Sequence, residues 1–376
     1  MLLESDLSMS DAERYSRQAI VEGIGIEGQH KLGNSSVLVV GCGGLGIPVA
    51  MYLSSCGLKR IGLIDFDKIE IHNLPRQVLY TEKNISEFKV TVASEFVKQI
   101  NSSINVSVYN EALDATNAER IINEYDVVVD CTDRIETRYL LNDFCKLLKK
   151  GLICGSVLQW EGQIYKLMPT GPCYRCLFPS MKTGVLTCEN AGVVGPMCGI
   201  IGSMQALEVI KLILGDDESR MIVFNGTTFD ITTAKLRSPK SICKACTNKS
   251  LIEPDDNSCE DLHTQQCDGT RDELSCKSWQ EISNDLDTWL VIDVRTVIQY
   301  RMLRAKGSIN IPLDELKSKI KMIKSQGPDV GKKICVVCKK GITSKKGVKI
   351  LKDEGVEAYS IHGGITDLKN QISKHD

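Results

Sequence analysis

The chain has 376 residues, of which 42% are hydrophobic and 25% charged, with a formal net charge of −2 and 16 cysteines. These fractions are typical of an ordinary soluble globular protein with two or three domains. Residues 277–376 hold 19 Lys and Arg against 12 Asp and Glu, an excess too small and too diffuse to predict direct nucleic-acid binding. The N-terminal segment has acids and no basic region, so no secretory signal is expected, and the many cysteines then indicate the reducing cytoplasm.

The first predicted elements form a phosphate-binding turn. The apolar run Val37–Val40 breaks into Gly41-Cys-Gly-Gly-Leu-Gly46, and a helical pattern follows. Glycines at 41, 43 and 46 let the backbone approach a phosphate at the helix N-terminus. Asp65 lies nineteen residues beyond Gly46 at the end of the next strand, where a carboxylate binds ribose hydroxyls. This motif alone fits an NAD enzyme as well as an ATP enzyme.

Alternating strands and helices continue through the first half of the chain. They predict an α/β fold, a Rossmann-like, doubly wound and mostly parallel sheet. The predicted strands are Ile61–Asp65, Ile104–Tyr109, Val127–Asp130 and Leu152–Ser156, and the helices between them are Lys89–Ile100 and Arg138–Lys149.

Cationic side chains after the acidic strand distinguish an ATP site from an NAD site. Arg76, within Asn73-Leu-Pro-Arg-Gln77, and Lys89 follow the acidic strand. A triphosphate under attack needs such charges and a dinucleotide does not. Asp133 follows a buried strand, at the edge of the sheet where a carboxylate could hold Mg²⁺. The sequence therefore favours ATP with Mg²⁺ over NAD.

Two Cys-x-x-Cys pairs lie about seventy residues apart, Cys173/Cys176 and Cys243/Cys246. Four thiolates at this spacing predict a tetrahedral zinc site. Because four protein ligands leave no open position, the predicted zinc is structural and not catalytic. The alternative is four unrelated cysteines of the core.

A further cysteine, Cys188, lies between the two pairs and is not a metal ligand. It precedes an apolar segment, Gly192 to Gly215, which is interrupted by Glu208 and Lys211 and therefore reads as a buried helix, with no membrane span expected. A cysteine in this glycine-rich segment could act as a nucleophile. The residues alone favour simple packing of Cys188.

The composition changes after Cys246. Residues 249–276 are acidic, polar and almost free of aliphatics, which predicts a flexible linker between a domain over residues 1–248 and a second over 277–376. Cys259, Cys267 and Cys276 are expected to be exposed in this linker, either without a role or in redox contact with other cysteines. Six further cysteines are expected to pack in the core: Cys42, Cys56, Cys131, Cys145, Cys154 and Cys198.

The second domain is predicted to be a small α/β unit. Its strands are Leu290–Val294, Lys333–Val337 and a last one near Ala358–Ile361, with a helix around Ser344–Glu354. Cys338 ends a strand and opens the loop Cys338-Lys-Lys-Gly-Ile-Thr-Ser344 before that helix. Backbone N–H groups and two lysines favour a reactive thiolate there, and the loop could hold a persulfide sulfur. Cys335, inside the strand, is expected to be buried.

The ordered motifs from Asp11 to Thr247 resemble the MoeB/ThiF branch of the ubiquitin-activating-type superfamily, whose members adenylate the C-terminal glycine of a ubiquitin-like protein. The resemblance rests on Arg14-Tyr-Ser-Arg-Gln18, the glycine loop, Asp65-Phe-Asp67, Asn73–Gln77, Lys89, Cys131-Thr-Asp133 and the cysteine pairs. It implies that Asp65 binds ribose, that Arg76 and Lys89 bind phosphates, that Asp133 holds Mg²⁺, and that Arg14 reaches the ATP of the other subunit of a homodimer. It also implies a thioester-forming role for Cys188. The full set implied to contact ATP is Arg14, Gly41, Gly43, Gly44, Gly46, Asp65, Asp67, His72, Asn73, Leu74, Pro75, Arg76, Gln77, Lys89, Thr132, Asp133 and Arg134, the last where the family usually has Asn.

The segment from Ser278 onward resembles a rhodanese sulfurtransferase domain through Asp293-Val-Arg295, Gly307–Pro312, the Cys338 loop and His362-Gly-Gly364. Its loop departs from the more usual Cys-Arg-x-Gly-Asn-Asp-Ser, and no Trp follows Gly364. The fusion resembles adenylyltransferase–sulfurtransferases that make a thiocarboxylate on a ubiquitin-like sulfur carrier for tRNA 2-thiolation or molybdopterin synthase. The expected partners are that carrier and a cysteine desulfurase or other persulfide donor.

Four other interpretations of the sequence remain. The first is an activating enzyme for protein conjugation through a Cys188 thioester. The second is an NAD-dependent oxidoreductase with a regulatory rhodanese module. The third is a non-catalytic scaffold, and the fourth is an inactive rhodanese domain used only for docking.

Overall fold

The computed structural model describes residues 7–180, 191–240, 243–247, 276–283 and 285–372. The chain divides into two compact units, Met1–Ser258 and Cys259–Asp376. Cys188, Cys259 and Cys267 lie outside the described residues, as does the predicted linker except for Cys276.

The first unit is built on one eight-stranded sheet with the strand order β3-β2-β1-β4-β5-β6-β7-β8. The strands are β1 Ser36–Val40, β2 Arg60–Ile64, β3 Asn105–Tyr109, β4 Val127–Asp130, β5 Gly151–Leu158, β6 Glu161–Leu167, β7 Arg220–Asn225 and β8 Asp230–Lys235. The helices are α1 Met9–Arg14, α2 Ser16–Ala19, α3 Gly25–Asn34, α4 Gly46–Ser55, α5 Lys89–Ile100, α6 Ala118–Asn123, α7 Ile135–Leu147, α8 Tyr174–Leu177, α9 Gly195–Leu214 and α10 Lys244–Thr247.

The predicted parallel arrangement is confirmed for β1 to β5. Strands β6, β7 and β8 extend the sheet in antiparallel fashion and were not predicted. Their sequences mix polar and apolar residues without strict alternation, and β8 is mostly exposed, so their pattern is weak. Strand β1 is different, because four of its five residues are buried, as expected for a central parallel strand.

The topology determines which residues can share a site. Strands β2, β1 and β4 are parallel neighbours, so their carboxyl ends meet at one edge of the sheet. Asp65 follows β2, the glycine loop follows β1, and Cys131-Thr132-Asp133 follows β4. Three segments that are distant in sequence are thereby brought together, in the usual ligand position of an open α/β sheet.

The apolar segment before Gly215 forms α9, as predicted. Pro196 lies in its first turn, and Gly215 ends it in a left-handed conformation with φ +114°. Among the described helices, α9 is the one whose length and composition would suit a membrane span. It packs against the sheet and α4 instead, and its Glu208 is 3% exposed with Lys166 Nζ at 3.6 Å. This is a core helix that carries a buried ion pair.

Helix α7 begins at Ile135, three residues before the predicted start. The reason is packing, because Ile135 lies against the apolar cluster beneath the sheet. The earlier start places the first turn of α7 directly after Asp133, so the helix and the predicted Mg²⁺ ligand are adjacent.

The second unit is a five-stranded parallel sheet with the order β11-β10-β12-β13-β9. Its strands are β9 Cys276–Lys277, β10 Trp289–Asp293, β11 Ile309–Asn310, β12 Lys333–Val337 and β13 Ala358–Ile361. Its helices are α11 Trp279–Ser283, α12 Val297–Met302, α13 Ile320–Gln326, α14 Thr343–Asp353 and α15 Gly364–Ile372. The predicted strands and the helix after Cys338 are confirmed.

The placement of Cys276 in an exposed linker is wrong. Cys276 is half-buried and opens β9, where it is the register partner of Ser360 in β13. Two residues of strand are too few to produce a sequence pattern, and only pairing with β13 defines them.

Candidate functional site

The glycine loop joins β1 to α4, and its backbone leaves no room for a side chain at Gly46 and is strained for any residue but glycine at Gly41. Gly41 has φ +93°, and a Cβ at Gly46 would lie 1.9 Å from the carbonyl oxygen of Gly41. No described side chain caps the N-terminus of α4. The loop therefore leaves backbone N–H groups and the positive end of the helix dipole available to a phosphate.

Asp65 ties this loop to the segment after β2. Its Oδ2 atom accepts a hydrogen bond from Cys42 N at 2.7 Å, and its Oδ1 atom accepts one from Asp67 N at 2.8 Å. Burial raises the pKa of the Asp65 carboxyl, and nearby Lys89 opposes that effect. Both oxygens are held in place, so a ribose would meet an oriented acceptor.

Lys89 opens α5 and is 6% exposed. Its Nζ atom lies 2.8 Å from Asp67 Oδ2, and the Asp67 side chain is about half exposed. A buried ammonium paired with an accessible carboxylate can exchange that partner for a phosphate group without being left unpaired.

The segment from His72 to Gln77 lies over the glycine loop. Arg76 donates to the carbonyl oxygen of His72 at 2.9 Å, and its own carbonyl oxygen would lie 3.1 Å from a Cβ at Gly44. Asn73 is buried and accepts from Glu70 N at 2.9 Å. Gln77 is also buried, and its Oε1 atom has no hydrogen-bond partner among the described residues. This orphaned acceptor beside the loop fits a site that lacks its ligand.

Asp133 is exposed and follows the carboxyl end of β4, the position predicted for it, and its role as a Mg²⁺ ligand stays a prediction. Neighbouring Arg134 holds its guanidinium 4.8 Å from the ring centroid of Phe66. Since Phe66 lies between Asp65 and Asp67, this contact links the segments after β4 and β2. The predicted ATP residues of these segments thus share one edge of the sheet.

Arg14 lies away from these contacts within its own chain. It is exposed and donates to the carbonyl oxygen of Ile100 at 3.2 Å. Its role toward a second subunit stays a prediction, and so do the roles toward ATP of Leu74, Pro75, Thr132 and the other residues implied to contact it.

The four cysteines Cys173, Cys176, Cys243 and Cys246 converge. The Sγ–Sγ distances are 3.8 Å for 173–176, 3.5 Å for 173–243 and 3.6 Å for 176–246, and all four sulfurs lie within 4.8 Å of one another. A tetrahedron with Zn–S bonds of about 2.3 Å has edges of about 3.8 Å, whereas a disulfide needs about 2.05 Å. The residues therefore fit a structural zinc ion.

Cys338 directly follows β12 and is 3% exposed. Its Sγ atom lies 3.4 Å from Ser344 Oγ in the first turn of α14, and Ser344 Oγ is 2.8 Å from Ser360 Oγ. The carbonyl oxygen of Cys338 accepts from Ile365 N at 2.9 Å, which packs the Gly363-Gly364 turn against the loop. The thiol is held by a buried hydroxyl pair that sequence analysis did not identify.

Cys188 lies outside the described residues, but the chain after it is anchored. Gly192 O accepts from Gln159 N at 2.9 Å, and a Cβ at Gly195 would lie 2.3 Å from the carbonyl oxygen of Pro75. The catalytic role of Cys188 stays a prediction.

The cysteines predicted to pack are all buried, and so is Cys335. Burial raises the pKa of Cys42, Cys131 and Cys154, so these groups remain thiols at neutral pH.

Sequence analysis missed the charged residues that support the site. Arg138 and Asp130 form a buried pair with Nε–Oδ2 at 2.6 Å, and Lys166 is fully buried with Asp216 Oδ2 at 3.0 Å. A charge at the end of an otherwise apolar strand, as at Asp130 in β4, is a signal that could have indicated the first pair, whereas the mixed sequence of β6 gives none for Lys166.

Comparison with known proteins finds a matching family model for each of the two units. The ThiF family model matches residues 15–245, and the rhodanese-like domain model matches residues 278–371. The adenylyltransferase and sulfurtransferase MOCS3 of Culex quinquefasciatus is 36% identical, over 98% of this chain and 89% of that protein. The MOCS3 of Caenorhabditis briggsae is 37% identical, over 98% and 96%, and that of Dictyostelium discoideum is 37% identical, over 95% and 92%.

Solved structures resemble part of the chain. The Escherichia coli MccB structure with ATP has a TM-score of 0.55 and 25% identity, over 62% of this chain and 75% of that one. MccB in complex with N-formylated MccA has a TM-score of 0.56 and 24% identity, over 63% and 76%. The second likeness shows the fold alone.

Proposed function

The chain belongs to the ThiF family and carries a rhodanese-like domain, and we propose that it adenylates the C-terminal glycine of a ubiquitin-like sulfur carrier and converts it to a thiocarboxylate. It is thus an enzyme, an adenylyltransferase and sulfurtransferase. The observation that carries the proposal is the convergence of the glycine loop, Asp65, the Lys89–Asp67 pair and Asp133 at one edge of the sheet, in a chain that also holds Cys338. Its product would serve tRNA wobble-uridine 2-thiolation, molybdopterin synthase, or both.

In the first step the carrier carboxylate attacks the α-phosphorus of ATP, and pyrophosphate leaves. The product is an acyl-adenylate, a mixed anhydride with AMP as a good leaving group. Asp65 would orient the ribose, and the glycine loop, Arg76 and Lys89 would bind the phosphates and offset their negative charge. Asp133 would hold Mg²⁺, which supplies charge neutralisation on the phosphates when it is bound.

Sulfur transfer follows in two displacements. The terminal sulfur of a Cys338 persulfide attacks the acyl carbonyl, AMP leaves, and an acyl disulfide joins the carrier to Cys338. The Cys188 thiolate then attacks the Cys338 sulfur, which releases the carrier thiocarboxylate and forms a Cys188–Cys338 disulfide. A cellular thiol reductant must reopen this disulfide before the next cycle.

The expected partners follow from this sequence of steps. They are the carrier, a cysteine desulfurase or another protein that donates persulfide sulfur to Cys338, and a second copy of the chain whose Arg14 completes the ATP site. The proposed place of action is the cytoplasm.

Substitution of Cys338 tests the proposal. Cys338→Ser should abolish thiocarboxylate formation on a ubiquitin-like carrier ending in Gly-Gly, measured by mass spectrometry, and leave carrier-dependent ATP–pyrophosphate exchange intact. Cys335→Ser is the matched control, because Cys335 is fully buried in β12, the strand that directly precedes Cys338. If thiocarboxylate still forms in Cys338→Ser, Cys338 is not the sulfur donor; if the carrier instead accumulates as a thioester on Cys188, the enzyme serves conjugation.

A further inference from the structure

One side of α7 holds the cysteine cluster in place. Four of its side chains contact the segment from Cys173 to Phe178, and a fifth contacts the carbonyl groups just before it. Their positions recur at intervals of three and four residues, which puts them on one side of the helix. They are Arg138, Tyr139, Asn142, Asp143 and Lys146.

These contacts are specific and largely buried. Asn142 Oδ1 accepts from Tyr174 N at 2.6 Å, and Asp143 receives two hydrogen bonds from Arg175 at 2.8 and 2.7 Å. Lys146 Nζ donates to the carbonyl oxygens of residues 169 and 171 at 2.7 and 2.5 Å. The four-cysteine cluster is therefore seated on the helix that starts two residues after Asp133.

Arg138 alone among the five reaches the nucleotide side as well. Its Nε atom donates to Asp130 Oδ2 at 2.6 Å, and its Nη2 atom donates to Gly155 O at 2.6 Å. The other carboxylate oxygen, Asp130 Oδ1, accepts from Thr132 N at 3.0 Å and from Thr132 Oγ1 at 2.7 Å. Asp130 thus shapes the turn that presents Asp133.

The same guanidinium also contacts the residue next to the first cysteine of the cluster. Its Cζ atom lies 5.7 Å from the centroid of the Tyr174 ring, and Tyr174 directly follows Cys173. Burial alone would lower the pKa of Arg138, but the Asp130 carboxylate raises it above its ordinary value, so the group stays charged. One buried cation therefore connects the metal cluster to the nucleotide turn.

We propose that Arg138 is a positioning residue that couples zinc binding at the four cysteines to nucleotide binding at the Thr132-Asp133 turn. This rests on the proposed ATP site. Because coupling between two sites is reciprocal, the nucleotide must tighten zinc binding by the same factor by which zinc tightens nucleotide binding.

Competition for zinc in the full-length protein tests this coupling. The apparent zinc affinity is measured against a chromophoric chelator, with and without a saturating non-hydrolysable ATP analogue and Mg²⁺. In the wild type the analogue should strengthen zinc binding roughly fivefold or more. In Arg138→Met the ratio of the zinc affinities measured with and without the analogue should fall to one. In Arg138→Lys this ratio should recover in part.

Lys146→Met is the matched control, because Lys146 contacts the segment before Cys173 but not Asp130. It should weaken zinc binding equally with and without the analogue and so keep the wild-type ratio. Tyr174→Leu leaves Arg138 and Asp130 in place and should also bring the ratio to one. It tests the coupling in a protein that keeps the buried pair, in case the Arg138 variants misfold. A wild-type ratio of one in a protein that binds the analogue would overturn the coupling, as would a normal ratio in Arg138→Met. Failure of the wild type to bind the analogue would instead overturn the proposed function.

Discussion

The ammonium group of Lys89 lies 2.8 Å from Asp67 Oδ2, in a pair whose lysine is buried and whose aspartate is half exposed. A charge sequestered in this way needs a partner at all times, since an unpaired buried ammonium is costly. The pair holds the Lys89 side chain at the edge of the sheet where the triphosphate is proposed to bind.

Loss of Lys89 should therefore affect the chemical step. Lys89→Met is expected to slow carrier-dependent pyrophosphate exchange by roughly 10²-fold to 10³-fold, the usual cost of removing one positioned charge. Lys68→Met, which removes an exposed lysine over the Phe88 ring, is the control and should leave the rate within about twofold. Equal rates in the two variants would remove Lys89 from the site.

The glycine loop makes a steric prediction. Gly46→Ala should abolish binding of an ATP analogue, measured by isothermal titration calorimetry, because its Cβ would lie 1.9 Å from the carbonyl oxygen of Gly41. Gly33→Ala, within α3, meets its nearest atom at 3.9 Å and should bind the analogue normally. Unimpaired binding by Gly46→Ala would mean that the nucleotide does not contact this loop.

The zinc site predicts a metal-dependent stability. Cys176→Ser or Cys243→Ser should lose the bound zinc seen by elemental analysis and should unfold at lower denaturant concentration, since structural zinc contributes directly to folding. Cys56→Ser is the control, because its side chain can keep the hydrogen bond to Leu53 O. Full zinc content in the Cys176 variant would contradict a four-cysteine site.

Ser344 should matter for sulfur transfer alone. Ser344→Ala removes the hydroxyl 3.4 Å from Cys338 Sγ and should slow thiocarboxylate formation roughly tenfold, the value of one hydrogen bond. Pyrophosphate exchange should be unchanged. Ser318→Ala, an exposed hydroxyl bonded to Glu315 O, is the control. A matching loss of exchange activity would show a general folding defect instead.

Asp216 predicts an acid-dependent contribution to stability. Burial raises the pKa of the Asp216 carboxyl, but the contact with Lys166 and other hydrogen bonds and charges lower it by a larger amount. The resulting pKa is about 2, compared with an ordinary value of 3.8. A lowered pKa stabilises the fold at pH values above the pKa of the unfolded state, and that contribution is lost as pH falls through about 4 toward 2. The difference in unfolding free energy between wild type and Asp216→Asn should shrink over this range. Exposed Asp217→Asn should retain the wild-type profile; a constant difference for Asp216→Asn would contradict the assignment.

Local motifs made much of the fold and site predictable. The glycine loop, the strand ending before Asp65 and the Cys-x-x-Cys pairs are short patterns whose chemistry depends on residues close in sequence. Central strands such as β1 and β4 were predictable because both of their faces are buried and their sequences are continuously apolar.

Other features depend on residues that meet only in the folded chain. The pairing of Lys89 with Asp67, the buried Lys166, and the Ser344–Ser360 hydroxyl pair beside Cys338 carry no sequence spacing that would indicate them. Strand β9 and its Cys276 exist only because β13 offers an edge to pair with.

The amino-acid sequence by itself determined the two kinds of chemistry, nucleotide binding and thiol transfer, together with the four cysteines able to hold zinc. Only the tertiary structure decided that the cysteine cluster and the Asp133 turn share one buried cation, Arg138. The physical reason is that a buried charge is tolerated only where partners from distant elements surround it, and here those partners come from β4, β5 and the segment after Cys173.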